Sequence, residues 1–379
     1  GNFTIVERST IPKDASVLPS VWAMRRKRDI KTQEIKKWKA RLNVDGSKMV
    51  KGVHYDQTYA PVASWLVIRI LMTLTSIHGW HSRQLDYVQA FPQAPTDRDL
   101  YIEIPKGMEV DADGDYVLQV HKNVYGGKAA GKIWNDYLVE KLKQVGWKQS
   151  KFDDCAFFKG RMMYVLYTDD SLIAGPCKKE VDKVIADMKA TGLQLTDEGD
   201  IQDFLGVNID QKEDGSIHFT QPHLINSILH DQRLDINGGE HSTTPAASSR
   251  ILGRHEDSPK FDESFNYRRV IGKLMYLDKG SRSDISYITH QCARFSDDPR
   301  KDHGKALKWL GKYLRGNVDK GTIFRPDKNR GLEIYVDADF AGNWNPKEAG
   351  ERDTARSRHG YFVMYCGCPI VWKSQLQSE

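Results

Sequence analysis

The order of apolar and polar positions divides the chain into strands, helices and turns. From Met162 to Pro176, MMYVLYTDDSLIAGP, an apolar and aromatic run lies on each side of two adjacent acids. Runs of this length and composition are typical of β-strands. The pattern predicts a hairpin whose tip carries Asp169 and Asp170.

Segments that predict helices lie on both sides of this hairpin in the sequence. Residues 64–78 predict a largely buried helix that stops at Gly79. The segment 80–91 then predicts a strand with Asp86 near its end. Amphipathic helices are predicted within 131–147 and 181–188. In the first of these, the predicted buried face consists of Ile133, Tyr137, Leu138, Leu142 and Val145.

The second half of the chain predicts further hairpins and helices. An Asp-Gly turn within 212–215 joins two apolar segments into a hairpin. Residues 245–255 are rich in Ala, Ser, Gly and Arg, which suits a linker or a surface loop. Helical stretches are predicted at about 267–294 and 301–315, followed by strands within 331–342 and 358–375.

Composition narrows the class of protein. With 379 residues, 39% of them hydrophobic, the chain can bury a core and has room for two or three domains of about 100–200 residues. Five cysteines without a CxxC pair indicate a reduced, intracellular protein. No apolar run approaches the roughly 18 residues of a membrane span. Because the chain begins with Gly, we expect a segment of a longer protein.

The net charge of +5 is unevenly distributed. Between Arg25 and Arg41, RRKRDIKTQEIKKWKAR, nine Lys or Arg residues accompany two acids. A solvated hairpin would explain such a run. Apolar residues interleaved with the charges, and a polar stretch at 31–33, favour a two-stranded basic ribbon that presents positive charge to phosphates.

Two explanations fit the adjacent acids. Asp is common in turns because its side chain bonds nearby backbone groups. Alternatively, the acids bind Mg²⁺, which prefers carboxylate oxygens and needs few protein ligands. Asp86 is then the natural third ligand, and Phe91 is placed to wall a nucleotide pocket, although an ordinary strand-end acid and a core residue would explain them singly. Two ions there could activate a 3′-hydroxyl and stabilise a leaving pyrophosphate.

From about Val21 onward, the chain resembles the reverse transcriptases of copia-type LTR retrotransposons. The first four matching segments correspond to the entry segment, the first catalytic block, the nucleotide-binding block and the Y-x-D-D hairpin. They are KWKARLNVDGSKMVKGVHYDQTYAPVAS, QLDYVQAFPQAPTDRDLYIEIPKG, VYGGKAAGKIWNDYL and YVLYTDDSLIAG. FLGVNI, YRRVIGKLMYLDKGSRSDISYITHQCARF and HGKALKWLGKYLRG resemble thumb and connection segments, and YVDADFAG with HGYFVMYCGCPIVWKSQ resembles the start of an RNase H domain.

This resemblance implies an α+β right-hand polymerase fold with fingers, palm and thumb, followed by connection helices and a truncated RNase H-like domain. The expected boundaries are 1–235 for fingers and palm, 236–325 for thumb and connection, and 326–379 for the partial RNase H-like domain. The implied activity is RNA-directed DNA polymerisation by a two-metal mechanism with Mg²⁺, or Mn²⁺ as the alternative ion. The implied partners are an RNA or DNA template with its primer, dNTPs and other segments of the same polyprotein.

The resemblance also implies roles for individual residues. Catalytic and metal-binding roles fall to Asp86, Asp169 and Asp170. The ring of Phe91 would lie beneath the sugar of the incoming dNTP and clash with a ribose 2′-hydroxyl. The remaining substrate contacts are Tyr125 and Gly126 along the nucleotide pocket, and Lys128, Lys39 and Arg41 as candidates for the triphosphate, with the choice between Lys39 and Arg41 left open.

In the RNase H-like part, Asp337 matches the first catalytic acid, and Asp339 is the nearby alternative. The next acid of the family lies on a helix beyond Glu379, so we expect no ribonuclease activity. Asp278 stands where many relatives carry a neutral residue, which indicates an exposed position. The segment GGKAAG departs from the commoner Gly-Leu-Lys-Gln-Ala-Pro pattern, which leaves the contacts around Gly127 open.

Two other hypotheses compete with an active polymerase. A decayed or repurposed retroelement would bind nucleic acid without polymerising, although its three acids are intact. The DAD segment at 337–339 could instead be the D-x-D metal site of a nucleotide-sugar transferase. That hypothesis explains neither the basic ribbon nor the two adjacent acids.

Overall fold

The computed structural model describes residues 1–28, 34–110, 114–234, 238–247, 252–254, 257–344, 346–350 and 352–378. The chain divides into two compact units, Gly1–Val67 with Trp80–Asp200 and Ile68–Gly79 with Ile201–Glu379. The predicted domain boundaries at 235 and 325 stay a prediction. The polar stretch at 31–33 and Glu379 lie outside the described residues.

The first part of the chain is rich in short strands. Its strands are β1 Phe3–Glu7, β2 Val17–Leu18, β3 Ser20–Arg28, β4 Ile35–Val44, β5 His81–Tyr87, β6 Pro95–Glu103, β7 Tyr116–Lys122, β8 Lys148–Gln149, β9 Ala156–Lys159, β10 Met162–Tyr167, β11 Asp170–Gly175 and β12 Leu195–Gly199. Its helices are α1 Trp65–His78, α2 Ala90–Gln93, α3 Ala130–Gln144 and α4 Lys178–Ala190, with 3-10 turns at Arg8–Thr10 and Gly46–Lys48.

A six-stranded antiparallel sheet forms the core of the first unit, in the order β12-β5-β11-β10-β9-β8. The predicted hairpin is confirmed, because β10 and β11 pair from Met163 with Ala174 to Tyr167 with Asp170. Helix α4 packs on β5 and β11 and buries the apolar face that its periodicity predicts. This sheet therefore carries both the lone acid and the adjacent acids.

Two smaller sheets complete the first unit. One has the order β1-β7-β6-β2 and covers a small apolar core that includes Leu18, Ile102 and Leu118. The other is the antiparallel pair of β3 and β4. This pair confirms that the basic ribbon has two strands.

Helices dominate the second unit, with α5 Pro222–Asp231, α6 Tyr267–Gly280, α7 Ser286–Ala293, α8 Lys301–Arg315 and α9 Arg352–Ala355, and 3-10 turns at Ser283–Ile285 and Pro346–Glu348. Its strands are β13 Asp203–Phe204, β14 Val207–Gln211, β15 Ile217–Thr220, β16 Thr322–Phe324, β17 Leu332–Ala338, β18 Arg358–Tyr365 and β19 Cys368–Leu376. The helices α5 to α8 enclose one apolar core. The strands form two antiparallel sheets, β13-β14-β15-β16 and β17-β18-β19. Among the described residues, no helix has both the length and the apolar character to cross a membrane.

Asp278 contradicts the prediction of an exposed position. Its carboxylate accepts hydrogen bonds from the indole N–H of Trp372 at 3.0 Å and from the hydroxyl of Ser286 at 3.3 Å. The guanidinium of Arg69 lies 3.8 Å from the centroid of the Trp372 ring and donates to the carbonyl of Ile370 at 3.1 Å. Burial raises the pKa of Asp278 to about 6. This acid therefore belongs to a buried polar cluster within the second unit.

The raised pKa predicts a pH-dependent contribution of Asp278 to stability. The folded protein binds this proton more tightly than the unfolded chain, because the pKa moves from 3.8 to about 6 on folding. The stabilisation is complete below the unfolded value and is lost as the pH rises through the folded value. We expect the wild type to lose stability relative to Asp278→Asn between those pH values. Thermal unfolding of both proteins across this range measures the effect, and a constant difference in Tm would contradict it.

Candidate active site

The pairing of β5 with β11 brings the three predicted acids to one end of the central sheet. Asp86 and Asp170 are directly opposite each other in this antiparallel pair, where side chains of facing residues have Cβ atoms about 4.5–5.5 Å apart. Asp169 lies in the adjoining turn, and its carbonyl accepts a hydrogen bond from the amide of Tyr87 at 3.2 Å. This register agrees with the prediction that the acids lie at one place in the sheet, and their catalytic and metal-binding roles stay a prediction.

The turn between β10 and β11 consists of only Thr168 and Asp169, so Asp170, which was predicted at the tip, is instead the first residue of β11. Thr168 has a φ of 57°, in the left-handed region that β-branched residues rarely adopt. Its carbonyl accepts a hydrogen bond of 2.7 Å from the indole N–H of Trp134 on α3. The helical pattern of α3 did not predict that Trp134 would be buried. The buried face of α3 includes Trp134 and Leu138, whereas Ile133 and Tyr137 are half-buried.

A cavity of about 540 Å³ opens beside Asp86 and Asp169. One wall comes from β4 and includes both Lys39 and Arg41, so the structure does not select one of these cations over the other. The remaining lining residues come from the rest of β4, the N-terminal residues, the end of β5, and the segments that follow β5 and β7. They are Asn2, Phe3, Lys37, Trp38, Ala40, Leu42, Tyr87, Val88, Gln89, Pro92, Asn123, Val124 and Tyr125.

Tyr125 joins the cationic and acidic sides of this cavity. The Arg41 guanidinium lies 5.0 Å from the centroid of the Tyr125 ring. Burial raises the pKa of the Tyr125 hydroxyl, Arg41 opposes this effect, and the negative charges of Asp169 and Asp86 reinforce it. Tyr125 is therefore within electrostatic range of both signs of charge.

Three predicted substrate contacts, Phe91, Gly126 and Lys128, do not line the cavity, and neither does the predicted metal ligand Asp170. Phe91 was expected on the same strand as Asp86, but β5 ends at Tyr87 because Gln89 adopts a left-handed φ of 48° and turns the chain into α2. The Phe91 ring reaches the cavity wall through Tyr125, with ring centroids 5.1 Å apart. Lys128 is exposed, and its backbone amide contacts the sulfur of Met49 at 3.2 Å.

The position of Gly126, beside the cavity, has no room for a side chain. Its φ is 85°, and a Cβ atom at this position would lie 2.2 Å from the carbonyl oxygen of Val44. The amide of Val44 donates to the carbonyl of Tyr125 at 2.9 Å, which fixes this close approach to β4. No side chain fits here without displacing the wall that carries Arg41 and Tyr125.

We expect Gly126→Ala to lower the free energy of unfolding by at least about 1–3 kcal/mol, because it adds both backbone strain and a steric clash. Gly192→Ala is the matched control, since Gly192 also has a positive φ but has no neighbouring atom within 4 Å of the added Cβ. Urea unfolding of the two variants measures the difference. Equal losses would show that the clash with Val44 is relieved at no cost.

The acids suit a hard divalent cation without forming a ready-made cage. In the part of the chain that the structure describes, no three His, Cys, Asp or Glu side chains are grouped closely enough to hold a metal ion. Mg²⁺ keeps several waters and is typically bound by one or two carboxylates together with substrate phosphates. Asp86 and Asp169, which face one cavity, fit that requirement.

The acids of the predicted RNase H-like part lie on a different sheet. Asp337 is exposed on β17, opposite Gly360 of β18. One carboxylate oxygen of Asp339 accepts hydrogen bonds from the backbone amides of Gly342 and Arg358, at 3.1 and 2.8 Å. Asp339 therefore fixes the local backbone, which is an ordinary structural use of a D-x-D acid.

Several known proteins with similar sequences are Pol polyproteins of transposons. The family described as reverse transcriptase (RNA-dependent DNA polymerase) matches residues 2–247. The chain is 28% identical to the retrovirus-related Pol polyprotein from transposon TNT 1-94 of Nicotiana tabacum, over 100% of this chain and 28% of that protein. It is 31% identical to the corresponding polyprotein from transposon RE2 of Arabidopsis thaliana, over 90% of this chain and 23% of that protein. The chain thus spans roughly a quarter of the length of these curated relatives.

Solved structures show the same fold. The foamy viral protease-reverse transcriptase in complex with dsDNA has a TM-score of 0.51 at 12% identity, covering 99% of this chain and 63% of that one. A second structure of that viral protein, also in complex with dsDNA, gives the same TM-score and covers 98% of this chain. The model mixes helices and strands as an α+β reverse transcriptase does. From the family match over more than half its length and its Pol polyprotein relatives, the chain belongs to the reverse transcriptase (RNA-dependent DNA polymerase) family, in its copia-type group.

Proposed function

We propose that this chain is the RNA-directed DNA polymerase segment of a copia-type Pol polyprotein. It extends the 3′-hydroxyl of a primer, paired to an RNA or DNA template, with dNTPs. The observation that carries the proposal is the register of β5 and β11, which sets Asp86 opposite Asp170 and beside the turn that holds Asp169. Asp86 and Asp169, which are distant in the sequence, line one cavity whose other wall is cationic.

In this proposal, Asp86 and Asp169 hold two Mg²⁺ ions together with the triphosphate, and Asp170 supports them as the neighbour of Asp86. The bound ions supply Lewis-acid activation of the 3′-hydroxyl and stabilisation of the pyrophosphate. Arg41 or Lys39 faces the same cavity and would offset the charge that develops on the leaving group. The ring of Phe91, packed on Tyr125, would close the sugar side of the site.

Primer extension on poly(A)/oligo(dT) tests the proposal directly. We expect dTMP incorporation that requires Mg²⁺ or Mn²⁺ and stops when EDTA is added. Incorporation without a divalent ion would contradict the proposed metal mechanism. Absence of incorporation under all metal conditions would remove the polymerase assignment.

Binding without polymerisation is the second candidate, and one observation favours it. The described part of the basic ribbon exposes Trp38 to 70%, with the Arg26 guanidinium 5.5 Å from its ring centroid. Exposed aromatic rings beside cations are suited to stacking on nucleic-acid bases. Salt-dependent RNA binding without extension would support this candidate.

Residues 326–379 are proposed to be the first strands of an RNase H-like domain. Asp337 and Asp339 are on or next to β17, yet two-metal hydrolysis needs several converging carboxylates. We therefore expect no degradation of the RNA strand of an RNA–DNA hybrid by this chain. Metal-dependent cleavage that survives Asp337→Asn/Asp339→Asn would point to a contaminating nuclease, and cleavage lost in that variant would contradict the expectation.

The same proposal implies that the protein works inside the cell, in a cytoplasmic particle or the nucleus. The described cysteines are free thiols, which supports an intracellular setting. Other segments of the parent polyprotein are proposed as partners, because the named relatives are much longer Pol polyproteins.

A further inference from the structure

The two-residue turn that carries Asp169 has an unfavourable backbone conformation. A hairpin turn of this length favours Gly, Asn or Asp where φ is positive, but here Thr168 adopts a φ of 57°. Such conformations are unfavourable and persist only where the surrounding structure imposes them. Something outside the turn must therefore stabilise it.

The buried side chain of Trp134 supplies that stabilisation. Its indole is 1% exposed, and its N–H donates to the carbonyl of Thr168 at 2.7 Å. A buried N–H that loses its acceptor is unfavourable, so breaking this hydrogen bond would destabilise the turn. The hydrogen bond thus favours the orientation of the peptide plane that immediately precedes Asp169.

Tyr87 fixes the other side of the same turn. Its amide donates to the carbonyl of Asp169 at 3.2 Å, and its ring packs edge-on against Trp134 with centroids 5.2 Å apart. The Tyr87 hydroxyl is 2.8 Å from that of the fully buried Tyr164 on β10. Both carbonyls of the turn therefore accept hydrogen bonds from well-packed residues, the Thr168 carbonyl from the Trp134 indole and the Asp169 carbonyl from the Tyr87 amide.

We propose that Trp134 is a positioning residue, whose indole N–H holds the Thr168 carbonyl and thereby directs the Asp169 carboxylate into the cavity shared with Asp86. This inference rests on the proposed polymerase function for its kinetic consequences. Apart from kinetics, the inference states that Asp169 binds a metal ion well only when the indole of Trp134 donates its hydrogen bond to the Thr168 carbonyl. A displacement of about 1 Å in a reacting group can cost on the order of 10² in rate.

Trp134→Phe keeps a ring but removes the N–H, and Trp147→Phe is the matched control. Trp147 is 2% exposed and packs on Tyr164 with centroids 5.6 Å apart, and its indole nitrogen has no hydrogen-bond partner among the described residues. We expect Trp134→Phe to lower kcat for single-nucleotide addition by about 10–100-fold, with primer–template affinity unchanged. The control should retain wild-type kcat even where its Tm falls by as much.

The decisive readouts are Mn²⁺ affinity, measured by electron paramagnetic resonance, and rescue by Thr168→Gly. Glycine adopts a positive φ without strain, so the double variant Trp134→Phe/Thr168→Gly should regain at least about tenfold of the lost kcat and Mn²⁺ affinity. Equal behaviour of Trp134→Phe and Trp147→Phe, or no rescue, would overturn the inference. If the wild type binds Mn²⁺ but does not extend primers, the proposed function fails while the Mn²⁺ comparison still decides the role of Trp134. Failure of the wild type to bind Mn²⁺ would overturn both.

Discussion

Asp86→Asn and Asp169→Asn are each expected to lower the rate of primer extension by at least about three orders of magnitude. Each change replaces a carboxylate that faces the shared cavity with a neutral amide, which binds Mg²⁺ poorly and does not offset its charge. Primer–template affinity should change little, because it depends on cationic contacts to the phosphates. Pre-steady-state extension and fluorescence anisotropy measure the two quantities separately.

Asp136→Asn is the control for these variants. Asp136 lies on α3 and pairs with Lys132 in an exposed salt bridge, so its charge should not affect catalysis. We expect wild-type extension from this control. Wild-type extension by either Asp86→Asn or Asp169→Asn would show that the acids have only a structural role in the sheet and the turn.

Phe91→Val is expected to lower the preference for dNTPs over ribonucleotides by about 10–100-fold. The Phe91 ring packs on Tyr125 behind the cavity that contains Asp86 and Asp169. Shortening the side chain opens space at the proposed position of the sugar, where a 2′-hydroxyl would otherwise clash. The ratio of kcat/KM for dTTP and UTP on one template measures this preference.

Phe158→Val serves as the control for this substitution. Phe158 is on β9 of the six-stranded sheet that also contains Asp86, and it is 43% exposed. Its loss should therefore leave sugar selection unchanged. An unchanged preference in Phe91→Val would remove Phe91 from that role. A loss of preference in both variants would indicate a general loosening of the sheet.

The local sequence pattern predicted the hairpin that carries Asp169 and Asp170 well. Apolar runs flank Asp169 and Asp170, so the hairpin could be predicted from its own residues, although its turn lies one residue earlier than predicted. The placement of Asp86 beside it was different, because periodicity does not reveal which strands pair. That prediction depended on the order of motifs shared with reverse transcriptases, and the register of β5 with β11 agrees with it.

Features that depend on distant contacts could not be predicted locally. Asp278 bonds to Trp372, which is 94 residues away in the sequence, so nothing near Asp278 indicated its burial. Phe91 left the predicted strand because Gln89 turns left-handed, a conformation that its residue type does not require. The burial of Trp134 was not predicted, because the helical pattern also fits a buried face shifted by about one residue. The packing of α3 decided which of these faces is buried.

The most direct test of the account is a crystal structure with Mn²⁺, a chain-terminated primer on its template and the next dNTP. The account predicts anomalous density for metal ions between Asp86 and Asp169, about 2.1 Å from their carboxylate oxygens, with the triphosphate facing Arg41 or Lys39. Metal and nucleotide bound away from these two acids would contradict it.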